Sequence, residues 1–444
     1  MLKRQICENL HFDFAKDKLI LTIPSNHHST INMRELCQIH YKYFPPNVIK
    51  KVGDTYIICK SLSISNGESS EESKKCEVKA RVCFSYITFG EVDSKESLRL
   101  DFQHCEFHKR VYFTNCEFNG NVFFNHAVFE KYADFHESIF NGVVSFYNAE
   151  FKYAPNFSTC VFQNLQATNF INVKIDDIDF DKVNDFITEY KNDKMYEKEL
   201  DLLREKYRAK TKKIKLLKTQ CKQETNRYRE NKQKLHSKKF QACKQEKIKK
   251  YKIRYASNAR DSFRTIKNVL IANNNLLDAS TWHKLELYAK EHEIDLKAPT
   301  KFSKEWIERI QLCFYRHTSA HHTDLLKILS WFVVLVGGFA VALFATKNLC
   351  NVGEIFSLIV FIVSTIATYK KDFFGIWTFI NVIFFLALLA CNPKYIFGVA
   401  NLFGNDKCQN DWFFNLILSL YSIAFILVIF SLQKTARKNS IIPN

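Results

Sequence analysis

The sequence predicts a short-period repeat solenoid, followed by a long basic helix, a helical hairpin and a membrane domain of four apolar spans. Three observations carry that reading. Phenylalanine recurs with an eleven-residue period between residues 100 and 162, Lys and Arg crowd residues 191–255, and uncharged apolar stretches fill the chain from residue 328 onward.

The repeat comes first. Phe102, Phe107, Phe113, Phe118, Phe124, Phe129, Phe135, Phe140, Phe146, Phe151, Phe157 and Phe162 are spaced alternately by five and six residues. Two positions before each stands a compact side chain. Before the first of each pair it is Leu100, Val111, Val122, Ala133, Val144 or Pro155; before the second it is Cys105, Cys116, Ala127, Ser138, Ala149 or Cys160. A helix needs apolar returns near 3.6 residues and a simple strand near 2, so this spacing suits neither. It suits a chain that turns a corner every five or six residues and sends one large and one small side chain inward per face. Such coils stack, bury one another's core and pair their backbones. A phenylalanine-rich sandwich is the alternative.

The segments VYFTNCEFNGN (111–121), ADFHESIFNGV (133–143) and VSFYNAEFKYA (144–154) resemble the pentapeptide-repeat family in its phenylalanine-rich form. The resemblance implies a right-handed, four-sided β-helix over residues 98–172, with the phenylalanines and the small residues pointing inward. Twelve faces at four per coil predict three coils.

Upstream, residues 1–97 read as an N-terminal segment and cap. Lys18–Ile23 and Asp54–Cys59 are short β-like runs, Pro45-Pro46 breaks the chain, and the Ser/Glu-rich residues 62–75 form a loop. Cys76–Gly90 has strand character and is expected to cap the open end of the solenoid, because a terminal coil exposes unpaired edges. No uninterrupted apolar core follows the first charges, so no signal peptide is expected. Phe is abundant at 41 copies while Gly (11) and Pro (7) are scarce, a profile that points to an AT-rich bacterial genome. The 14 cysteines include no CxxC, and Cys105, Cys116 and Cys160 sit in the small inward slot, where a free thiol packs as a small hydrophobe. A mostly cytosolic, reduced protein is expected.

Residues 181–256 read as one long basic helix with possible coiled-coil character. Leu200, Tyr207, Ile214, Cys221, Tyr228 and Leu235 fall at one heptad position, with Leu203 and Leu217 at the other. Residues 191–255 hold 24 Lys and Arg against 8 Asp and Glu, which accounts for 16 of the net +18. Three explanations stand. Lysines such as Lys212, Lys213, Lys238, Lys239, Lys249 and Lys250 contact anionic lipid; they contact nucleic-acid phosphates, which ranks last; or the helix is a solvated spacer that self-associates into a homo-oligomer. Residues 257–325 are expected to form a helical hairpin and a juxtamembrane stretch, with the turn at Asn273–Asn275 and Asp278 as N-cap. Residues 259–291 and 313–332 resemble blocks of a group of bacterial membrane proteins that carry pentapeptide repeats.

A transmembrane domain is expected over residues 326–433, with spans near 328–346, 354–370, 373–393 and 412–433 and a tail at 434–444. The first, third and fourth are long enough for a hydrocarbon core of roughly 30 Å. The second has only 15 uncharged residues, but Lys370 and Lys371 can snorkel at its end. With both termini in the cytoplasm, Lys370, Lys371, Lys434, Arg437 and Lys438 lie inside, against Lys347, Lys394 and Lys407 outside, as the positive-inside rule asks.

No P-loop, HExxH or GxSxG motif is present, and the adjacent pairs His27-His28 and His321-His322 lack metal-ligand spacing. Asn381 and Asn415 suit interhelical hydrogen bonds, and no ionisable residue lies deep in a span. No catalytic residue, cofactor or metal is expected. The function predicted is a non-enzymatic scaffold or protein-interaction module at the bacterial inner membrane, its protein partner unidentified. Alternatives are a channel or sensor regulated by the solenoid, and salt-dependent nucleic-acid binding by the basic helix.

Overall fold

A computed structural model describes residues 10–13, 17–23, 30–65, 76–91, 98–175, 178–216, 226–347 and 412–439. Two compact units divide the chain, Met1–Glu305 and Trp306–Asn444.

In the first unit the eleven-residue repeat winds into a coil whose four faces are four parallel ladders. The first face stacks Lys18–Thr22, Ser61–Ser65, Arg99–Asp101, Asn121–Phe123, Val144–Ser145 and Thr168–Asn169. The second stacks Cys76–Val78, Cys105–Phe107, Val128–Phe129 and Glu150–Phe151. Thr30–Asn32, Arg81–Cys83, Val111–Tyr112 and Ala133–Asp134 build the third, which Asn156 extends by one bridge from Asp134. The fourth runs through Thr55–Ile58, Ile87–Phe89, Glu117–Phe118, Ile139–Phe140 and Val161–Phe162. Within the regular stretch Leu100 pairs with Val122, Glu106 with Val128, Val111 with Ala133 and Glu117 with Ile139. Each partner lies two repeats on, so two repeats make one four-sided turn.

The alternation of five and six follows from two kinds of corner. Between Phe102 and Cys105 lie two residues, and the second, His104, has φ of 58°. Asn115, His126, Glu137, Asn148 and Thr159 repeat that left-handed conformation every eleven residues, and Tyr86 and Asn172 occupy it outside the strict period. Their amides reach the next coil: His104 N–H donates to Asn125 O, Asn115 to His136 O and Glu137 to Ser158 O, at 3.0–3.1 Å. The other corner takes three residues and holds no residue with positive φ. Asp101, Asp134, Asn156 and Asn169 accept from the amide two residues on, the Asx geometry that starts the tight corner. At the return to the first face, the coils touch. A Cβ on Gly142 would sit 2.3 Å from Gly120 O, so only glycine fits there.

The strands at 76–90 were expected to cap the stack; they belong to a full coil. Val82 pairs with Val111, Leu62 with Leu100 and Leu19 with Leu62, so the solenoid reaches upstream to Lys18 and exceeds three coils. Insertions lengthen these earlier turns and hide their period. One insertion is helix α1 (Met33–His40), which buries Met33, Leu36 and Cys37 and is capped by the Asn32 side chain on Arg34 N. The starting edge is closed differently. Leu10–Asp13 pairs antiparallel with Lys18–Thr22, and Ile49–Val52 with Thr55–Ile58, which shields the open ladders.

The single long helix expected over 181–256 is instead several helices. They are α2 (Phe180–Thr188), a 3-10 turn (Glu189–Asn192), α3 (Lys194–Leu216) and α4 (Asn226–Ala272). α3 and α4 pair antiparallel, since Tyr196 meets Tyr251 (5.1 Å between centroids), Glu199 meets Lys247 (2.6 Å) and Tyr207 meets Phe240 (4.5 Å). The reason is aromatic: Tyr190, Tyr196, Leu200 and Tyr251 form a buried cluster of their own, which folds the basic segment back on itself.

The expected hairpin is α4 with α5 (Leu276–Lys297). Its N-cap is Asn275, which accepts from Asp278 N at 3.2 Å, while Asp278 accepts from Asn275 Nδ2 at 2.7 Å. Asp278 therefore serves at the third helical position and not at the cap. Ala259, Phe263, Ile266, Leu270, Trp282 and Leu285 join the phenylalanine core, so this hairpin seals the last coil. Buried Ser262 donates to Pro155 O (2.7 Å) and accepts from Phe157 N–H (2.8 Å), replacing the strand that would otherwise come next. Asn273 Nδ2 donates to Leu165 O and Thr168 O at 3.0 and 2.7 Å. Glu286 ties the hairpin together through Arg264 (2.8 Å) and Lys267 (2.6 Å).

The second unit holds α6 (Lys304–Ser319), α7 (Leu325–Lys347) and α8 (Trp412–Asn439). α7 and α8 run antiparallel: His322 Nδ1 meets Ser431 Oγ at 2.8 Å, Phe332 meets Phe425, and Phe339 stacks on Tyr421 at 3.8 Å. Among the described residues one stretch, Leu418–Thr435, is long and apolar enough to cross a membrane, and Leu325–Phe339 is a shorter apolar helix. The four-span expectation thus finds one such helix; the spans expected at 354–370 and 373–393 lie outside the described residues.

Candidate functional site

The repeat phenylalanines build the frame on which any site rests. From Phe102 to Phe157 every one is buried, and Phe162, under the helical cap, is 8% exposed. They stack in four columns, one per corner. Phe102, Phe124, Phe146 and Phe170 form the first; Phe107, Phe129 and Phe151 the second; Phe113, Phe135 and Phe157 the third; Phe118, Phe140 and Phe162 the fourth. Neighbouring rings are near-parallel with centroids 4.6–5.2 Å apart, while rings of different columns meet edge to face, as in Phe124–Phe135 at 5.6 Å.

The small slots are of two kinds, a difference invisible in size alone. Ala127, Ala149 and Cys105 fill one column and are buried. In the other, each residue offers a donor to the preceding coil: Cys116 Sγ to Phe84 O (2.7 Å), Ser138 Oγ to Phe113 O, and Cys160 Sγ to Phe135 O (2.8 Å). Ser138 Oγ also accepts from Cys116 N–H at 3.0 Å. Cys116 and Cys160 thus act as hydrogen-bond donors as well as packing groups. Burial raises both thiols far above their ordinary range, so neither is a reactive thiolate.

The basic residues singled out from sequence do not gather at one point. Lys238, Lys239, Lys249 and Lys250 are exposed along α4. Lys212 and Lys213 fall in α3, beyond the residues whose side chains are described. His27 and His28 also lie outside the described residues.

A site that the sequence did not announce lies on the third face. Its floor is a column of outward side chains, one per coil: Asn32, Cys83, Tyr112, Asp134 and Asn156, aligned by the ladder register. Beside it runs a second column with Ser85, Thr114 and His136; Ser85 Oγ and Thr114 Oγ1 are 2.6 Å apart. The 3-10 turn, the start of α3 and residues 254–258 of α4 stand beside the last coils as a wall. They enclose a groove of about 720 Å³. That lies within the range of ligand sites.

Most acids of the groove are engaged. Glu189 takes a bidentate bond from Arg110, with Nε at 3.1 Å and Nη2 at 2.9 Å. Asp134 accepts from Asn156 Nδ2 at 2.9 Å and lies 2.8 Å from His136 Nδ1. Asp193 accepts from Tyr255 Oη at 3.2 Å and from Met195 N. Burial disfavours a charged His136, but its bond to Asp134 and that carboxylate's charge outweigh it, so His136 titrates above its ordinary value. Burial pushes the Tyr112 phenol up to about 12 and raises Tyr132 as well. Asp134 and His136 are also joined through the tight corner, because His136 N–H donates to the same carboxylate oxygen. The pair is first of all a turn motif. With Ser85 paired to Thr114 and its one histidine fixed on a carboxylate, the groove offers charge and hydrogen bonding to a bound chain.

Residues 102–150 match a family model described as pentapeptide repeats (9 copies). No curated protein and no solved structure matches the chain. The phenylalanine columns, the paired four-sided ladders and that match identify residues 102–150 as a run of pentapeptide repeats.

Proposed function

We propose that this chain is a non-enzymatic protein-interaction module held in the bacterial inner membrane, with the solenoid as its recognition surface. The observation that carries the reading is the sealing of the last coil by Ser262 and Asn273. A sealed end does not extend edge to edge, which leaves the lateral faces of a rigid stack for partners. We place recognition there and not on self-association of the basic segment, because the seam at Tyr196 and Leu200 is filled by Tyr251 of the same chain. The exposed Lys238, Lys239, Lys249 and Lys250 suit an anionic leaflet, each contributing about 1 kcal/mol near the surface.

Membrane insertion in this proposal starts from the apolar stretch Leu418–Thr435. The antiparallel pairing of α7 with α8 brings Lys327 and Lys434 to the same end, as a cytoplasmic face requires. In a bilayer such a pair demands an even number of crossings between them, which agrees with four spans and both termini inside. Alkaline carbonate extraction tests insertion: the chain stays in the membrane pellet, and release into the supernatant refutes the anchor. Planar-bilayer recording tests the rival, since reproducible single-channel conductance from the purified protein overturns the scaffold reading.

A further inference from the structure

We propose that the groove on the third face is a docking site for an extended acidic peptide segment of a partner protein, gripped by cations at both ends. This rests on the interaction-module reading and gives it a surface and a ligand class.

The first observation is an imbalance of charge. Arg34, Arg81, Lys194 and Arg254 line the groove and none has an ion pair among the described residues. Of the acids there, Glu189, Asp134 and Asp193 are held by Arg110, by Asn156 and His136, and by Tyr255. Tyr255 is a neutral donor, so Asp193 and Glu137 both lack an ion pair among the described residues, and two carboxylates stand against the four cations. The excess of unpaired charge is positive.

The second observation is its layout. Arg34 and Arg81 stand on the first coils, where Thr30 pairs with Arg81, and each guanidinium lies over a tyrosine: Arg34 over Tyr86 at 5.6 Å, Arg81 over Tyr112 at 6.0 Å. Lys194 and Arg254 belong to the wall at the far end. From the rung of Asn32 to that of Asn156 there are four steps of roughly 4.8 Å, hence ~19 Å. An extended strand covers that distance in about six residues at 3.3 Å each. Two carboxylates six residues apart reach both cationic ends, whereas one small anion reaches only one.

The third observation is the aromatic lining. Tyr86, Tyr112 and Tyr255 add rigid amphipathic surface of the sort that recognition sites favour.

The test is isothermal titration calorimetry on the full chain in detergent micelles, with a capped nonapeptide bearing glutamate at its second and eighth positions, a central tyrosine, and Ser or Ala elsewhere. The expected result is at least tenfold tighter binding than the glutamine version, and about tenfold loss with Arg81→Glu or Arg254→Glu. The double variant should prefer the version carrying lysine at both positions, a gain that a misfolded chain does not show. The proposal is overturned by equal affinity for the glutamate and glutamine peptides, or by equal affinity when the glutamates are adjacent. It is also overturned if free glutarate binds as tightly as the peptide, which assigns the groove to a small dianion. If a native partner is recovered equally well by the wild-type chain and the double variant, the interaction-module reading stands and this groove is not its surface.

Discussion

Replacing Ser262 with alanine removes one oxygen and leaves two buried backbone groups without partners. Phe157 N–H and Pro155 C=O both face Ser262 Oγ, at 2.8 and 2.7 Å, and Ser262 is fully buried. An unsatisfied buried donor or acceptor costs about 1–3 kcal/mol. Two of them cost roughly 2–6 kcal/mol, again by that measure. Alanine is the better helix former by about half a kcal/mol, which works in the opposite direction inside α4. The net expectation is a loss of ~3 kcal/mol. Because stability in a repeat stack is a sum of local and neighbour terms, the loss should first appear as fraying of the last coil. Hydrogen exchange read by mass spectrometry should show faster exchange across residues 155–170, with residues 105–130 unchanged, and melting should shift down by several degrees. A variant that exchanges like the wild type over 155–170, or melts higher as helix propensity alone dictates, refutes the idea that Ser262 replaces a missing strand.

Four further outcomes follow from the same geometry. Gly142→Ala drives a Cβ against Gly120 O and should lower stability by about 1–3 kcal/mol in thermal melts, whereas alanine at Gly53 meets no such atom and carries only the strain of its φ of 58°. Thr159 holds φ of 57° in the corner that Asn115 and Asn148 occupy elsewhere, so Thr159→Asn should raise stability by about 1 kcal/mol. Cys116→Ser keeps a donor for Phe84 O and should be tolerated better than Cys116→Ala, with urea midpoints as the measure. Burial opposes the Glu286 charge, but bonds from His283, Lys267 and Arg264 outweigh it and hold its carboxyl at about 2 against an ordinary 4.5. A depressed carboxylate contributes stability above its unfolded value and loses it as pH falls through the folded one. The hairpin should therefore weaken between about pH 4.5 and 2, by roughly 3 kcal/mol, and Glu286→Gln should flatten that part of the stability–pH curve.

The regular coils were legible because each phenylalanine is demanded by the same inward slot, so chemistry repeated at fixed spacing. The upstream coils were not, because α1 and the longer loops break the spacing while the ladder pairing of Val82 with Val111 survives them. The donor role of Cys116 and Cys160 escaped notice for a different reason: Ser138 hinted at it, but Cys and Ala are equally compatible with a small apolar slot. The heptad pattern in 200–235 suggested one uninterrupted helix, and the tyrosines at 190, 196 and 251 that fold it back gave no periodic signal. The groove was invisible for the deepest reason. Arg34, Arg81, Tyr132 and Arg254 are distant in sequence and become neighbours only when coils stack and the helical cap closes on them.

Photo-crosslinking in native membranes tests the central claim most directly. A benzophenone amino acid in place of Glu137, inside the groove, should give an adduct of discrete mass in the carbonate-resistant pellet. That adduct should vanish with Arg81→Glu and Arg254→Glu, and should be absent when the probe replaces Glu106 on the second face. The same adduct from both faces, or a chain washed from the membrane by carbonate, contradicts it.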